Sequence, residues 1–234
     1  MSLAFTLVLC VCLVAASRSQ APPLSLSSTG LLGKSIIFPA TNQVDHVRLL
    51  PKSSPALTAF TLCLRASTQV YRTISLFSYA VAADSNELLV FMNPATSSLS
   101  LYIGSRTVTL KMPPLTAVLT HICATWESKS GLAHLWVNAH RSLGCTIRQG
   151  YTVKPGGVFI LGQEQDSLGG RFDARQSLQG EETEVNLWDY VLPRSEIQDL
   201  SWGCHGIGGN VINWETVGYE VGGRAIVQDN HDCE

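Results

Sequence analysis

In "FTLCLRA", residues 60–66, apolar and polar side chains alternate strictly. The apolar set comprises Phe60, Leu62, Leu64 and Ala66. Side chains two residues apart on a strand project to the same face, so the pattern predicts a strand with one face in the core and the other facing out. A second segment, "SLSLYIG" at residues 98–104, repeats the alternation with Leu99, Leu101 and Ile103.

Similar short segments occur along most of the chain, separated by clusters of Gly, Pro, Asn and Ser. They are "HICATW", "LAHLWVN", "GVFILG", "EVNLWDYVL" and "NVINWE". Many short strands joined by turns are typical of an antiparallel sandwich or jelly roll. Only "LPRSEIQDLSWG" has a helical pattern, and we place Ser195 at its N-cap. One face of this helix carries Ile197, Leu200 and Ser201. The sequence therefore predicts an all-β sandwich with one short helix.

The length and charge of the chain limit its organisation and its partners. A chain of 234 residues suits one large domain. Charged residues make up 15% of it, and the formal net charge is -2. Binding to nucleic acid or to an anionic membrane surface requires a basic surface, so this composition argues against both classes of partner.

The N-terminus, "MSLAFTLVLCVCLVAASRSQ", contains an apolar run that ends in small residues. Such a run is typical of a cleaved secretory signal and is too short to span a bilayer. We predict a signal peptide at 1–19, a flexible Pro- and Ser-rich leader at 20–33, a folded domain at 34–227 and a C-terminal tail at 228–234. No later apolar segment is long enough for a membrane span, so we expect a secreted, extracellular protein.

The extracellular location governs the interpretation of the cysteines, because thiols outside the cell oxidise and pair. Cys10 and Cys12 leave with the signal peptide. The cysteines that remain are Cys63, Cys123, Cys145, Cys204 and Cys233. An odd number leaves one thiol unpaired within the chain or joined to another chain.

Three carboxylates and two amides crowd into the segment that follows "GVFIL". Glu164 and Asp166 lie two apart and would share one face of a continuing strand, while Gln165 offers a backbone carbonyl between them. Asp173 and Gln176 follow across glycines, which allow the chain to fold back on the same ion. Hard oxygen ligands from one short loop suit calcium, and a solvated acidic loop is the alternative interpretation.

The segment "HICATWES", residues 121–128, reads as a half-buried strand in which Cys123 faces away from Ile122, Ala124 and Trp126. Cys63 is the obvious partner of Cys123 for a sheet-crossing disulfide. His121 and Cys123 also suggest a base and a nucleophile. Neighbours on one strand face do not by themselves form the oriented triad that such chemistry needs, so we favour the structural interpretation.

These segments resemble the pentraxin family. "HICATWES" matches the pentraxin signature at every fixed position, and "GQEQDSLGGRFDARQS" resembles the pentraxin calcium loop. The resemblance extends over about 34–225 and includes "IIFP", "SLFSYA", "NELLVF" and "RQGYTV". It implies a flattened antiparallel jelly roll of lectin type, a Cys63–Cys123 disulfide, two calcium ions per subunit and a cyclic homopentamer. It also implies an innate immune role, with complement recognition proteins as partners.

The resemblance assigns calcium ligands residue by residue. Glu164, the Gln165 carbonyl and Asp166 resemble the ligands that both ions share. Asp173 and Gln176 resemble those that complete the second site. Asn86 matches the first site, but Ser85 stands where the family has Asp, with Asp84 one place earlier. A neutral hydroxyl is a weaker ligand than a carboxylate, so we expect looser binding of the first ion unless Asp84 replaces Ser85.

The same resemblance places a ligand pocket beside the calcium ions. Phe91 retains an apolar or aromatic wall, and Tyr102 replaces a small Thr found in one branch of the family. Thr107 replaces the Glu that faces a choline ammonium in that branch. Phosphate or carboxylate recognition through calcium is expected to persist, while a preference for choline is not.

The C-terminal segments "CHGIGGN" and "NHDCE" depart from the family pattern. A zinc site made of Cys204, His205, His231 and Cys233 is one interpretation. Adjacent Cys and His seldom both reach one ion, and a secreted chain favours oxidation. We therefore predict a Cys204–Cys233 disulfide, which leaves Cys145 unpaired.

Three functions follow from these features. The first is non-catalytic, calcium-dependent binding of phosphate- or carboxylate-bearing ligands on microbial or damaged-cell surfaces. The second is a jelly-roll glycoside hydrolase that uses Glu164 and Asp166 as its paired carboxylates. The Gln between them, and the lack of a further acid in the hydrolase pattern, count against it. The third is a sugar-binding lectin of the same sandwich class.

Overall fold

The computed structural model describes residues 30–113, 118–203 and 207–230, together with the backbone of 25–27. The strands, numbered β1 to β16 in chain order, are Ser25–Ser27, Lys34–Phe38, His46–Leu50, Ala59–Thr68, Ile74–Val81, Asp84–Asn93, Ser98–Ile103, Arg106–Lys111, Thr120–Glu127, Leu132–Val137, His140–Arg141, Cys145–Thr146, Val158–Leu161, Gly180–Trp188, Gly218–Gly222 and Ile226–Asp229. One α-helix, α1, spans Arg194–Trp202, and a 3-10 turn spans Pro94–Thr96.

Within the described ranges the strands form two antiparallel sheets. The first has the order β1-β15-β3-β13-β5-β6-β7-β8, and the second has the order β11-β10-β9-β4-β14-β2-β16, with β12 also beside β10. The side chains predicted from alternation to be apolar and inward lie between the sheets and are at most 1% exposed. They are Phe60, Leu62, Leu64, Ala66, Leu99, Leu101 and Ile103. The prediction of an antiparallel sandwich with one short helix is confirmed.

Around β4, the outer face of the second sheet is covered and not open as alternation predicted. On β4, Thr61 and Cys63 point away from the core, yet they are 0% and 2% exposed. Helix α1 covers this face and contributes Ile197 and Leu200 to a second apolar cluster. The other members of this cluster are Cys63, Cys123, Trp136, Trp188 and Leu192. The alternating sequence of a strand does not show whether its polar face is covered by another element.

Helix α1 confirms the predicted helical segment but not its predicted cap. The residue before the helix is Pro193, and its carbonyl accepts the first helical hydrogen bond from the Ile197 N–H at 3.2 Å. An N-cap residue is the one whose carbonyl accepts that first bond, so Ser195 lies inside the helix. The predicted inward residues Ile197 and Leu200 are buried.

The segment "NVINWE" is not a strand. It contributes a single bridge between Leu187 and Ile212, and the chain then turns at Asn213. The Asn213 side chain accepts a hydrogen bond from the Glu215 N–H at 2.9 Å, and its carbonyl accepts one from Val217 at 2.8 Å. An Asn that bonds the backbone two residues ahead favours a turn over a strand, which overrides the apolar pattern here.

A bulge in β14 places an acidic side chain in the core. The register of β14 against β4 shifts between Thr183 and Asn186, and Glu184 has a φ of 54°. Glu182 is fully buried beside Ile36 and Ala66, and neither of its oxygens has a hydrogen-bond partner among the described residues. Burial raises the pKa of Glu182 well above its ordinary value.

The predicted Cys63–Cys123 disulfide is present. The two residues are paired neighbours on β4 and β9, so the bond joins adjacent strands of one sheet and does not cross between sheets. The sulfur of Cys123 is therefore unavailable as a nucleophile, although His121 Nε2 lies 3.4 Å from it. Cys145 is the free cysteine of the described residues. The predicted Cys204–Cys233 bridge, its zinc alternative and the predicted signal peptide lie outside those residues.

The predicted leader and tail boundaries remain predictions, but described residues near them take part in the sandwich. β1 lies within the predicted leader and pairs with β15. Leu31 is fully buried, and its N–H donates to the Trp214 carbonyl at 2.9 Å. At the other end, β16 continues past residue 227 to Asp229. In the described part of the chain, no helix is long and apolar enough to cross a membrane.

Candidate metal site and ligand cleft

The acidic loop, residues 162–179, connects β13 to β14 and begins at a position that requires glycine. Gly162 has a φ of 81°, a backbone region that L side chains rarely adopt. A Cβ on Gly162 would also lie 2.2 Å from the ring of Phe38 on β2. The chain therefore makes a sharp turn here, against the opposite sheet.

Two glutamine side chains fix the first turn of the acidic loop. Gln163 Nε2 donates to the carbonyls of Asn42 at 2.8 Å and Asp45 at 3.0 Å. Gln165 Nε2 donates to the carbonyls of Ser78 and Val158, each at 3.0 Å, while its Oε1 accepts from the Gly169 N–H at 2.8 Å. The Gln165 side chain is thus fully used in holding the loop, so only its backbone carbonyl is suited to ligate an ion.

Glu164 lies between Gln163 and Gln165, whose side chains brace the loop, and is only 2% exposed. Its Oε2 atom has no hydrogen-bond donor among the described residues. Burial, together with the nearby charges of Asp166 and Asp173, raises the pKa of Glu164 to about 7. A buried carboxylate that faces two others is unfavourable unless a cation accompanies it.

Two further predicted ligands present the same kind of unpaired oxygen. Asn86 Oδ1 and Gln176 Oε1 are both buried without a donor in the described parts of the chain. Asn86 lies on β6, whose Leu89 pairs with Ser78, the residue that anchors Gln165. Carboxylate, amide and carbonyl oxygens form a hard donor set of the kind that calcium prefers. The residues present therefore fit a calcium ion.

Asp84 is held away from the role of replacing Ser85. Its Oδ1 atom accepts hydrogen bonds from the Asn86 N–H at 2.9 Å and from Ser105 Oγ at 2.6 Å. These bonds hold the Asp84 carboxylate at the start of β6, against the turn between β7 and β8. Ser85 therefore remains the residue at the position where the family has Asp.

An open cleft of about 460 Å³ adjoins the acidic loop. It is lined by Thr73, Phe91, Asn93, Ser98, Ser100, Tyr102, Asp173, Arg175 and Gln176. The predicted wall residues Phe91 and Tyr102 meet edge to face, with ring centroids 5.9 Å apart. The structure thus brings two predicted ligand-binding residues together with two predicted calcium ligands.

Thr107 lies beside this cleft, not in its lining. It pairs directly with Tyr102 across β7 and β8, and its side chain is exposed. The next position on the same face, Thr109, bonds to the cleft residue Ser100 at 2.8 Å.

Sequence reasoning missed several lining residues, above all Arg175. Its signal was its position in "DARQ", between two predicted calcium ligands. The alternation in "SLSLYIG" places Ser98, Ser100 and Tyr102 on one face, so it could have found both serines as well.

The family model described as the Pentaxin family matches residues 34–229. This chain belongs to the pentraxin family. It is 40% identical over 206 residues to the mucosal pentraxin of Bos taurus, a match that covers 88% of this chain and 92% of the relative. It is 39% identical over 204 residues to the serum amyloid P-component of Homo sapiens, covering 87% and 91%.

A solved pentraxin structure has the same fold. The chain superimposes on the native heptameric SAP-like pentraxin from Limulus polyphemus with a TM-score of 0.78 and 25% identity. The match covers 87% of this chain and 98% of that one. The predicted flattened jelly-roll sandwich is thereby confirmed.

Proposed function

We propose that this pentraxin is a secreted pattern-recognition protein that binds phosphate- or carboxylate-bearing ligands in a calcium-dependent manner. The observation that carries the proposal is Glu164, buried with an unpaired oxygen near two other acidic side chains and next to an open cleft. Two calcium ions would more than offset the negative charge of these three carboxylates and leave positive charge at the edge of the cleft, where an anionic ligand can reach it.

Each residue of the site has a distinct task in this proposal. Glu164, the Gln165 carbonyl and Asp166 would hold both calcium ions, and these ions would supply the electrostatic attraction for the ligand anion. Asp173 and Gln176 would complete the second ion site, with Asn86 and Ser85 at the first. Because Ser85 is neutral and Asp84 is engaged elsewhere, we propose that the first ion binds more weakly.

The cleft determines what accompanies the anion. Phe91 and Tyr102 offer a neutral aromatic wall, and Thr107 adds no carboxylate beside it. A choline ammonium would meet only a cation-π contact, worth about 0.5 to 2 kcal/mol. We therefore propose little preference for phosphocholine over phosphoethanolamine, and we expect Thr107→Glu to create one.

Assembly would convert weak single-site binding into firm attachment. We propose a cyclic homopentamer that displays one cleft per subunit towards a microbial or damaged-cell surface. Several sites on one ring bind a repetitive surface with an avidity that exceeds the affinity of any single site. Complement recognition proteins are the proposed downstream partners, and the protein itself performs no catalysis.

The test is retention on a phosphoethanolamine matrix with calcium and elution by a chelator. Glu164→Gln should lose retention, whereas Glu196→Gln, on helix α1 away from the site, should keep it. Retention that ignores the chelator would contradict the proposal. Chelator-sensitive hydrolysis of a glycan would favour the hydrolase instead. Glycan-array binding without any response to phosphoryl ligands would favour the sugar-binding lectin.

A further inference from the structure

Arg175 is the positively charged residue among the described residues that line the cleft. Its guanidinium clasps Asp173, with Nη2 2.6 Å and Nε 3.0 Å from Oδ2. The Arg175 N–H also donates to Asp173 Oδ1 at 2.9 Å. The Arg175 side chain is 88% exposed, and water screens an ion pair in such a position. This ion pair, the Arg175–Asp173 clasp, is therefore well formed, but another anion can readily take the place of Asp173.

The cleft contains little other charge. Among the described residues that line it, Arg175 is the cation and Asp173 the anion, and the others are neutral. Lys111 lies on β8 opposite Ser98, but it is outside the lining, and its Nζ donates to the Thr96 carbonyl at 3.2 Å. A molecule in the cleft therefore meets one guanidinium among hydroxyl, amide and aromatic groups.

Asp173 cannot serve Arg175 and a calcium ion with its full charge at once. Once Asp173 ligates calcium, as proposed above, Arg175 loses most of its partner while remaining at the cleft. Its planar guanidinium is then free to bind another carboxylate or phosphate through two parallel hydrogen bonds.

We infer that Arg175 makes this cleft selective for small ligands that carry a second acidic group beside the one that binds calcium. This inference rests on the proposed function and deepens it by naming the ligand class. The freed guanidinium attracts the second anionic group and repels an ammonium at the same place. Ligands with a second acidic group are therefore preferred to analogues whose second group is neutral. Those analogues are in turn preferred to ones whose second group is an ammonium.

Three small phosphate esters test this order, because they share the phosphate and differ at the far end. Phosphoglycolate ends in a carboxylate, monoethyl phosphate in a methyl group and phosphoethanolamine in an ammonium. With saturating calcium, calorimetry on the full protein should show phosphoglycolate binding about tenfold tighter than monoethyl phosphate, with phosphoethanolamine weakest. Arg175→Gln should flatten this order, and Arg175→Glu should reverse it.

Arg171→Gln is the matched control. Arg171 lies in the same loop and is exposed, but it does not line the cleft, so its loss removes the same charge without removing the contact. This variant should keep the wild-type order. The inference is overturned if the wild-type protein binds all three esters equally, or if Arg175→Gln preserves the order.

A calcium titration without any ligand gives a second, independent readout. If the clasp competes with calcium for Asp173, Arg175→Gln should bind calcium about three- to fivefold tighter than wild type, and Arg171→Gln should gain less. Equal gains in the two variants would contradict the competition. If no ester binds despite bound calcium, the proposed function itself fails and this inference with it. Equal binding of all three refutes only the role of Arg175.

Discussion

Part of each sheet is covered on the side away from the core, and the two covers differ in chemistry. The acidic loop covers β5 of the first sheet with polar contacts. Ser75 Oγ donates to the Gln163 carbonyl at 3.1 Å, and the Gln165 amide bonds to Ser78. Helix α1 covers β4 and β9 of the second sheet with apolar contacts, through Ile197 and Leu200.

Because of this difference, we expect ion binding to depend on the polar cover and stability on the apolar cover. The polar cover leaves buried oxygens of Asn86, Glu164 and Gln176 without donors among the described residues, a cost that only a ligand can offset. The apolar cover removes hydrocarbon from water and carries no such cost. Substitutions under the first cover should therefore change ion affinity, and substitutions under the second should change the free energy of unfolding.

The largest expected effects come from two substitutions, one under each cover. Glu164→Ala should reduce calcium-dependent ligand binding by at least about a hundredfold, because it removes a shared ligand. At neutral pH the metal-free variant should be no less stable to urea than the metal-free wild type, since the substitution also removes a buried carboxylate whose Oε2 has no donor among the described residues. Ile197→Ala should instead lower the free energy of unfolding by about 2–5 kcal/mol and leave calcium affinity unchanged. Calorimetry and urea melts on both variants check this. Unchanged calcium affinity in Glu164→Ala would break the comparison.

The disulfide beneath helix α1 gives the next largest effect. Replacing Cys63 and Cys123 together by Ala opens a loop with a sequence separation of 60 residues. In the chain-entropy model this costs roughly 4 kcal/mol of unfolding free energy. Cys145→Ala, which breaks no bond within the described chain, is the control and should lie within about 1 kcal/mol of wild type. A large loss of calcium affinity in the double variant would show that the two covers are coupled.

Calcium affinity should depend on pH through Glu164. Its pKa is raised to about 7, so the proton must leave before the carboxylate can ligate an ion. Below pH 7, calcium affinity should fall by up to about tenfold per pH unit. Calcium titrations between pH 5.5 and 8 measure this slope. A flat profile would contradict the assignment of Glu164 as a ligand.

Without calcium, the same group should make stability depend on pH in the opposite sense. The folded pKa exceeds the unfolded value of 4.5, so between these values the folded state holds more protons. Unfolding free energy should therefore fall as pH rises from about 4.5 to 7. Glu182, in the core, acts in the same direction, so Glu164→Gln and Glu182→Gln should each remove part of the slope. Only the Glu164 part should vanish when calcium is added.

The smallest effect sharpens the first ion site. Ser85→Asp supplies the carboxylate that the family pattern has at this position and should tighten the weaker calcium site by a few-fold, about fivefold at most. Ala83→Asp, at an exposed position of the turn just before Ser85, adds the same charge and is the control. Equal changes in the two variants would show a general charge effect and not ligation.

Local patterns predicted the parts of the fold that depend on one strand or one helix. The alternation in "FTLCLRA" gave the correct inward face, and the apolar spacing of Ile197 and Leu200 gave the correct helix face. The same alternation could not show that α1 covers the other face, because that contact joins residues more than 130 positions apart. It also missed the turn at Asn213, where a side-chain hydrogen bond decides the conformation.

The oxygen-bearing residues of the candidate site could be predicted from the sequence, but their arrangement could not. Oxygen-bearing side chains in one loop pointed to a cation, and resemblance to a family added Asn86. The braces formed by Gln163 and Gln165 depend on partners in distant strands, so the sequence could not show which amides are free. The clasp of Arg175 on Asp173 was likewise invisible, since spacing alone does not reveal which charges pair.

The close approach of Gly162 to the ring of Phe38 has a consequence for melting. No free volume separates the start of the acidic loop from the strand on the opposite sheet, so the distance between the sheets fixes where the loop begins. Heating that spreads the two sheets must therefore displace the loop at the same time. We expect ion release and loss of the sandwich to occur as a single calorimetric transition, at a temperature that rises with calcium concentration.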